Sequence, residues 1–401
     1  MTFPSITSSF SGLSVELWLL ALVNFINRVG AMVICFLTLY LTNHLHFSLE
    51  QAGYVLSFYG LGAIAGSYLG GFLTDKLGYQ KVQLLSLTSS ACMLFLLMYV
   101  EEYYTLCATL FVYNLVAESF RPANSIAVKM NSHEKNRTRA YSLLRTAFNL
   151  AITFALSLGG FLILWGWHWI FIVDGLTCLA AAVVLFFFVP EIKTQKSNNQ
   201  IDKAEIFPTI SPYKDKKAFL FFALTLLNAL VFMQILWTVP PFFKEIYHWS
   251  EAKIGMVCAV NGFVVMLVEI PLVFVIEKKK TLLAWVRLGL ICYALSYAAL
   301  LLPFPYLAGL LYMVIISFGE IGVMPFSTTW LTRRGNAQTQ GKYMGIYGMT
   351  YSLANTIAPA FGTQIISKFS YSTLWICLCV ICVIVWLGFY YLEEQENSLS
   401  Q

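Results

Sequence analysis

Charge is what this sequence has least of. Asp, Glu, Lys and Arg make up 11% of its 401 residues, against about 25% in a soluble domain. With 59% hydrophobic residues and a mean hydropathy of +0.72, it cannot clothe a water-facing surface, which excludes a soluble globular domain. The net charge of +5 is no nucleic-acid signal, and no nucleic-acid partner is expected. A nucleotide-binding P-loop, a metal-ligand cluster and a nucleophile–base motif are all missing. An ATP-driven pump and an enzyme are therefore not expected, and no cofactor or metal is called for. The nine cysteines are odd in number and scattered through apolar runs, which argues against a disulfide framework. Cys379 and Cys382 form a CxxC inside the last apolar run, with no His nearby, and read as packing. The opening stretch MTFPSITSSFSGLS lacks a basic n-region and a small-residue cleavage site, so no signal peptide is expected.

What remains is a polytopic membrane protein. A spanning helix needs roughly 17–25 apolar residues, and twelve such runs are present, approximately 15–42, 51–73, 83–100, 105–128, 139–163, 168–189, 217–243, 252–276, 281–302, 306–330, 341–366 and 371–392. The longest break is polar, charged and Pro-bearing. It predicts a six-span bundle over 1–190, a cytoplasmic linker over 191–216 and a second six-span bundle over 217–401. Eighteen lysines and arginines fall in the loops on the N-terminal side of the membrane, against Lys244, Lys253 and Lys368 on the other. By the positive-inside rule both termini are cytoplasmic. Trp165, Trp167 and Trp169 at an outer turn read as interface anchors.

The polar turn after the second run reads GGFLTDKLGYQKV. Gly71, Leu73, Asp75, Gly78 and Lys81 match the G-x-L-x-D-x-x-G-x-[RK] loop of the major facilitator superfamily, with a looser spacing before Lys81, and the chain resembles that family over essentially its whole length. The resemblance implies an all-α membrane protein with twelve transmembrane helices in two pseudo-symmetric six-helix bundles. It also implies alternating access, with spans 1, 4, 7 and 10 lining a central cavity and span 5 abutting it. In the family this loop latches the two halves on the cytoplasmic side, which makes Gly71, Asp75, Gly78 and Lys81 the gate. The competing reading is a solvated hairpin turn. A shift of about 203 residues lays Pro122 on Pro325 and Gly159 on Gly362, and sets Asp75 beside Glu277, where VFVIEKKK keeps the acid and bases but lacks the glycines.

Ionisable groups inside a membrane are costly, on the order of 2.5–3.5 kcal/mol each at mid-bilayer, so each needs a partner, water or a route to the interface. The spans carry Arg28, Arg121, Arg145 and Arg287 with Glu118, Asp174, Glu269 and Glu320. At about 1.5 Å per residue, Arg287 and Glu269 lie close enough to a helix end to reach the headgroups and read as structural. On span 4, Asn114, Glu118, Arg121 and Ser125 share one helical face. Ser142, Arg145, Asn149 and Thr153 do so on span 5, and Asn24, Asn27 and Arg28 cluster on span 1. These define a substrate cavity, joined by Asn228, Gln234 and Trp237 of span 7 and by Tyr347, Tyr351 and Asn355 of span 11, where Tyr343 begins the stripe. The plain alternative is that Glu118 and Arg121, three apart, merely neutralise each other.

NFINRVGAMV and ESFRPA resemble prokaryotic drug-efflux-type members of the family. Asn24-x-x-Asn27-Arg28 is similar to the E-x-x-E-R frame of proton-coupled peptide transporters, with amides in place of both acids, so that coupling chemistry does not transfer. Proton-driven export of a small amphiphilic compound is the expected function. Proton-symport uptake of an anionic or zwitterionic solute, such as a peptide, a nutrient or a siderophore-like carboxylate chelator, is the alternative. Arg stays protonated, no His lies deep in a span, and Asp174 falls nearer the outer surface on a span not expected to line the cavity. Glu118 and Glu320 are therefore the proton-coupling residues. The expected partners are a small-molecule substrate, protons and the lipid bilayer, around a monomer in the cytoplasmic (inner) membrane of a prokaryote.

Overall fold

In a computed structural model, the structure describes residues 12–132, 136–190, 214–276, 281–334 and 339–397. Most of the expected linker, and the Glu277–Lys280 counterpart of the gate motif, lie outside the described residues. Within them are fifteen α-helices, one short π turn and no strand. The apolar runs become α1 (Val15–Val29) with α2 (Met32–Leu39) and the π turn Tyr40–His44, α3 (Leu49–Leu77), α4 (Tyr79–Leu97), α5 (Tyr103–Glu118) with α6 (Phe120–Asn131), α7 (Arg137–Ile163) and α8 (His168–Phe188). Then come α9 (Lys216–Trp237) with α10 (Val239–Glu245), α11 (Glu251–Ile276), α12 (Leu282–Ala299), α13 (Pro305–Arg334), α14 (Gln340–Lys368) and α15 (Tyr371–Asn397). Ten of these segments are long and apolar enough to cross a membrane. The α5–α6 segment and α14 are not among them. The first is interrupted and carries Glu118 and Arg121; the second is diluted by Lys342, Asn355 and Gln364.

Three spans are broken, α9–α10 at Thr238 and two others each for a local reason. The α1–α2 break falls at Gly30 and Ala31, where a Cβ on Gly30 would stand 1.8 Å from Thr177 Oγ1 of α8. Only glycine lets the bent backbone lie so close to its neighbour. The α5–α6 break falls at Ser119. Pro122 three residues on has no N–H to give and its ring crowds the carbonyl four residues back. The Ser119 hydroxyl takes up part of the slack, donating to the Leu115 and Gly66 carbonyls at 2.8 and 3.1 Å.

The chain divides into two compact units. The first holds α1–α8 together with residues 240–266; the second holds α9, the remainder of α11 and α12–α15. In the first, α3 packs on α5, α4 on α8, and α1 on α7 and α8. A continuous apolar core runs through Leu17, Leu20, Val82, Phe120, Val128, Leu143 and Leu185. Burial of apolar surface does not drive helices together in lipid, where close van der Waals fit does. Gly62, Gly66 and Gly70 supply it along one stripe of α3: a Cβ there would stand 2.3 Å from the Phe111 carbonyl oxygen, 2.2 Å from that of Leu115 and 2.6 Å from Ser119 Cα. In the second unit α12 packs on α13 and α15, and α9 on α14 and α15. Phe221 stacks on Trp330 with ring centroids 4.4 Å apart, and Tyr297 stacks on Trp375 at 5.5 Å.

Caps mark several helix starts. Ser48 and Gln51 exchange side-chain and backbone hydrogen bonds in a capping box before α3. Glu102 accepts from the Tyr104 and Thr105 amides before α5. Asp215 accepts from those of Lys217 and Ala218 before α9.

Candidate functional site

The break in α1–α2 and the end of α5 meet α3, α4 and α8 around a cavity of about 40 Å³ inside the first unit, lined among others by Asn27, Arg28, Tyr59, Ser86, Ser90, Tyr113, Asn114, Glu118, Asp174 and Cys178. That is room for water rather than for an organic solute, since one water needs roughly 10–15 Å³. Glu118, the last residue of α5, stands between two guanidinium groups. Arg28 Nη2 is 3.7 Å from its Oε1, and Arg121 Nη1 is 3.7 Å from its Oε2. Both contacts are longer than a direct charge-assisted hydrogen bond of about 2.7–2.9 Å, so Coulomb attraction holds the acid while the donors stay uncommitted. Arg28 also lies over the Phe148 ring at 5.5 Å, and its Nε has no hydrogen-bond partner among the described residues. Arg121 is more than half exposed.

The predicted face of span 4 is divided by the Ser119 break. Asn114 is buried and donates from Nδ2 to the Tyr59 carbonyl at 2.8 Å, tying α5 to α3. Ser125 Oγ donates back to the Arg121 carbonyl at 3.2 Å. Asn24 is buried on α1, and Asn27 Oδ1 receives the Cys178 thiol at 3.5 Å. Arg145 and Asn149 are half-buried on α7, and the Asn149 carbonyl accepts the Thr153 hydroxyl at 2.9 Å.

One acid that the sequence argument set aside belongs to the pocket. Asp174 of α8 is 2% exposed. Its carboxylate takes the Val33 backbone N–H from the first turn of α2, lies 3.9 Å from Cys178 Sγ through Oδ1, and its Oδ2 has no partner among the described residues. Span-by-span depth could not reveal this, because the bend at Gly30 turns the first span against α8. The glycine followed by a helix restart was the only sequence signal available.

In the second unit Glu320 is buried on α13, close enough to Tyr293 and Tyr351 to act on both electrostatically. Tyr347 and Tyr351 stack edge to face at 5.1 Å with their hydroxyls 3.5 Å apart, and Asn355 follows on the same helix, half-buried. Gln234 is committed elsewhere. Its amide nitrogen donates to the Ala358 carbonyl at 3.0 Å and its oxygen accepts from Thr238 at 2.9 Å, which cross-links α9 to α14. Asn228 and Trp237 are buried on α9. Tyr343 leaves the tyrosine stripe to donate to Asp215 Oδ2 at 2.9 Å.

At the turn after α3, Gly78 has φ of +89°, a conformation open to glycine and strained for other residues. A Cβ on Gly71 would meet nothing within 4 Å, so of the adjacent glycines it is Gly70 that lets α3 approach α5. Asp75 and Lys81 are exposed, and Asp75 makes no hydrogen bond or ion pair among the described residues.

A second ionic cluster, absent from the sequence reading, closes one end of the second unit. Asp215 binds Arg334 through Oδ2–Nε at 2.6 Å and Oδ1–Nη2 at 3.1 Å. Arg334 reaches Glu396 at 3.0 Å, and Trp330 Nε1 donates to both Glu396 oxygens at 3.1 Å. Arg287 pairs with Glu393 at 2.6 Å and lies over the Trp386 and Tyr390 rings, which gives it the structural place expected of it. Burial pushes the Asp215 carboxyl up, but Arg334, the Ala218 N–H and the Tyr343 hydroxyl outweigh burial and hold it below its ordinary value.

Comparison with known proteins fits this architecture. The family model described as Major Facilitator Superfamily matches residues 17–355. The MFS-type transporter YttB of Bacillus subtilis (strain 168) is 25% identical over 90% of either chain. The MFS-type transporter YhjO of the same organism is 22% identical over 92% of this chain and 91% of its own. Among solved structures, a nucleoside transporter NupG superposes with a TM-score of 0.76 at 15% identity over 94% of this chain and 99% of its own. A peptide transporter POT in complex with sulfate superposes with a TM-score of 0.77 at 14% identity over 97% and 96%. At these identities the solved structures speak to the fold alone.

Proposed function

We propose that this chain, which belongs to the Major Facilitator Superfamily, is a proton-coupled secondary transporter of a small amphiphilic organic solute bearing an anionic or zwitterionic group. That it is an integral membrane transporter of a small molecule follows from the family. Coupling, ligand class and direction are the finer reading. The observation that carries it is Glu118 held at 3.7 Å between Arg28 and Arg121. Two fixed cations around one acid leave a net positive charge, which favours an anion by Coulomb complementarity, and the long contacts keep guanidinium donors available to it. An incoming carboxylate or phosphate competes for the arginines and Glu118 takes a proton. Glu320 is the corresponding acid of the second unit. Alternating access between two six-span halves joined by the 191–216 linker opens both acids first to one side of the membrane and then to the other. Asp75 and Gly78 form the gate at the α3–α4 turn.

Export is the direction favoured by the ESFRPA segment. Uptake is the second reading, favoured by the arginine excess. The bacterial relatives support the cytoplasmic membrane of a prokaryote, and the loop charges support cytoplasmic termini. The deciding experiment measures solute and proton flux together in inside-out and right-side-out vesicles against a panel of organic anions, zwitterions and amphiphiles, with and without a pH gradient. The sign of substrate-dependent proton movement separates export from uptake. No gradient dependence for any compound transported would refute proton coupling.

A further inference from the structure

From two buried atoms without a partner among the described residues, Arg28 Nε and Asp174 Oδ2, on two residues that line the same small cavity, we infer that Arg28 is a cation shared between two acids, Glu118 and Asp174, and that one proton passes between them as Arg28 changes partner. The inference rests on the proton-coupled reading and adds to it a second proton site that the sequence argument had set aside.

The geometry is asymmetric in a useful way. Asp174 has one side satisfied, by the Val33 N–H and the Cys178 thiol, and Oδ2 bare among the described residues at 2% exposure. A carboxyl group in that setting fits the acid form, with its proton on Oδ2, because an isolated buried carboxylate is costly. In the starting state of the proposal Glu118 is the carboxylate of the two, 3.7 Å from both Arg28 and Arg121. In the exchanged state the O–H bond of Asp174 breaks and an O–H bond forms on Glu118, through water in the cavity. Arg28 turns to the new Asp174 carboxylate and Arg121 alone remains beside neutral Glu118. One proton moves and the charge of the pocket is unchanged, so the step needs no other reactant.

α1 contributes Arg28, α5 Glu118 and Tyr113, α3 Tyr59, α2 Cys35, and α8 itself Cys178, while α7, which also packs on α8, carries Arg145 outside the cavity lining. From α4 come Ser86 and Ser90 of the lining and Phe95 beside Gly175, with no charge. Among the lining residues Arg28 is the cation, beside both acids. The carboxylate of Asp174 also holds the first turn of α2, so its change of state acts on the break in the first span.

The chain has four aspartates, Asp75, Asp174, Asp202 and Asp215, which makes the test spectroscopic and independent of any substrate. Full-length protein labelled with ¹³C-aspartate is reconstituted in lipid and its protonated-carboxyl infrared band is followed against pH. The expected result is one protonated aspartate band at neutral pH, lost in Asp174→Asn. In Glu118→Gln, Arg28 has no other acid to serve, and the band gives way to the carboxylate band at the same pH. If Asp174→Asn does not fold, persistence of the band in Asp75→Asn, Asp202→Asn and Asp215→Asn assigns it by elimination. A merely structural Asp174 would give a band that Glu118→Gln leaves in place, which overturns the inference. A band removed by sodium ions at fixed pH would make this a cation site, which also overturns it. Vesicle flux that is proton-driven while the band ignores Glu118→Gln sinks the shared arginine and leaves the proposed function standing. Absence of proton-driven flux sinks the function whatever the spectrum shows.

Discussion

Replacing Asp215 separates two roles that one side chain combines. Asp215 caps α9 through the Lys217 and Ala218 amides and neutralises Arg334 through two oxygens. Asp215→Ala removes both. Losing the cap costs about 1 kcal/mol, and losing hydrogen bonds to a charged partner costs about 1.5–3 kcal/mol more. The second figure belongs at its lower end because Arg334 keeps Glu396 at 3.0 Å. The expected loss is therefore ~2.5 kcal/mol. Asp215→Asn keeps an oxygen for the two amides and loses the charge, and should cost about half as much. The assay is denaturant unfolding of the detergent-solubilised protein followed by tryptophan emission, with Trp330 against Phe221 as a local reporter. In an Arg334→Gln background the cost of Asp215→Asn should shrink to a few tenths of a kcal/mol, the coupling being what the cycle isolates. pH supplies a sign. A carboxyl held below its ordinary value stabilises the fold above the unfolded value of about 3.9 and loses that contribution as pH falls through the lowered one. The gap between parent and Asp215→Asn should hold steady from pH 7 to 5 and close only in stronger acid. Equal costs for Ala and Asn, or an undiminished Asn cost without Arg334, would refute the two-role account.

Other substitutions test other parts. Gly66→Ala should abolish most folded protein, since its Cβ would lie 2.2 Å from a backbone oxygen, whereas Gly71→Ala, in open space, should leave yield unchanged or raise stability by roughly 0.5–1 kcal/mol; size-exclusion yield reads both. Asp75→Asn should lower transport at matched protein level through loss of the gate charge, and parental transport would return it to a solvated turn. Glu118→Gln and Glu320→Gln, tested separately, should include at least one variant that exchanges solute without concentrating it, and full pH-driven accumulation in both would remove these acids from coupling. Topology reporters at Asn198 and at the C-terminus should read cytoplasmic and one at Tyr103 external; an external signal at Asn198 would remove the twelve-span arrangement.

The helical runs and the Glu118–Arg121 pair were legible because they depend on spacing along one chain, 3.6 residues per turn and three residues apart. Arg28 was legible as a residue that could not escape the bilayer. Its partner was not, since nothing in a single span says which neighbour faces it. That Asp174 lines the same small cavity as Arg28 was not legible for the same reason, since no single span says that the first one bends at Gly30 against α8. Gln234 shows the converse limit. A polar side chain on an apolar helix marks an unmet bond, but both a ligand and the Ala358 carbonyl can meet it. Asp215 sat in a polar segment that read as linker, although an acid one residue before an apolar run is a helix-cap signal.

The seam between α3 and α5 carries an implication for mutational history. Where two helices meet through side chains, an enlargement on one can be answered by a reduction on the other. At Gly62 and Gly66 the atoms in the way are the carbonyl oxygens of Phe111 and Leu115, which every amino acid possesses. No substitution on α5 can make room, so a second-site suppressor of Gly66→Ala should not be found among the side chains of that helix. The two helices are consequently confined to move as one beam, about 43 Å long on the α3 side at 1.5 Å per residue. Glu118 stands near one point along it and the Gly78 turn at its end. A displacement of that turn therefore reaches the acid by leverage through the beam, with no slip between the helices to absorb it.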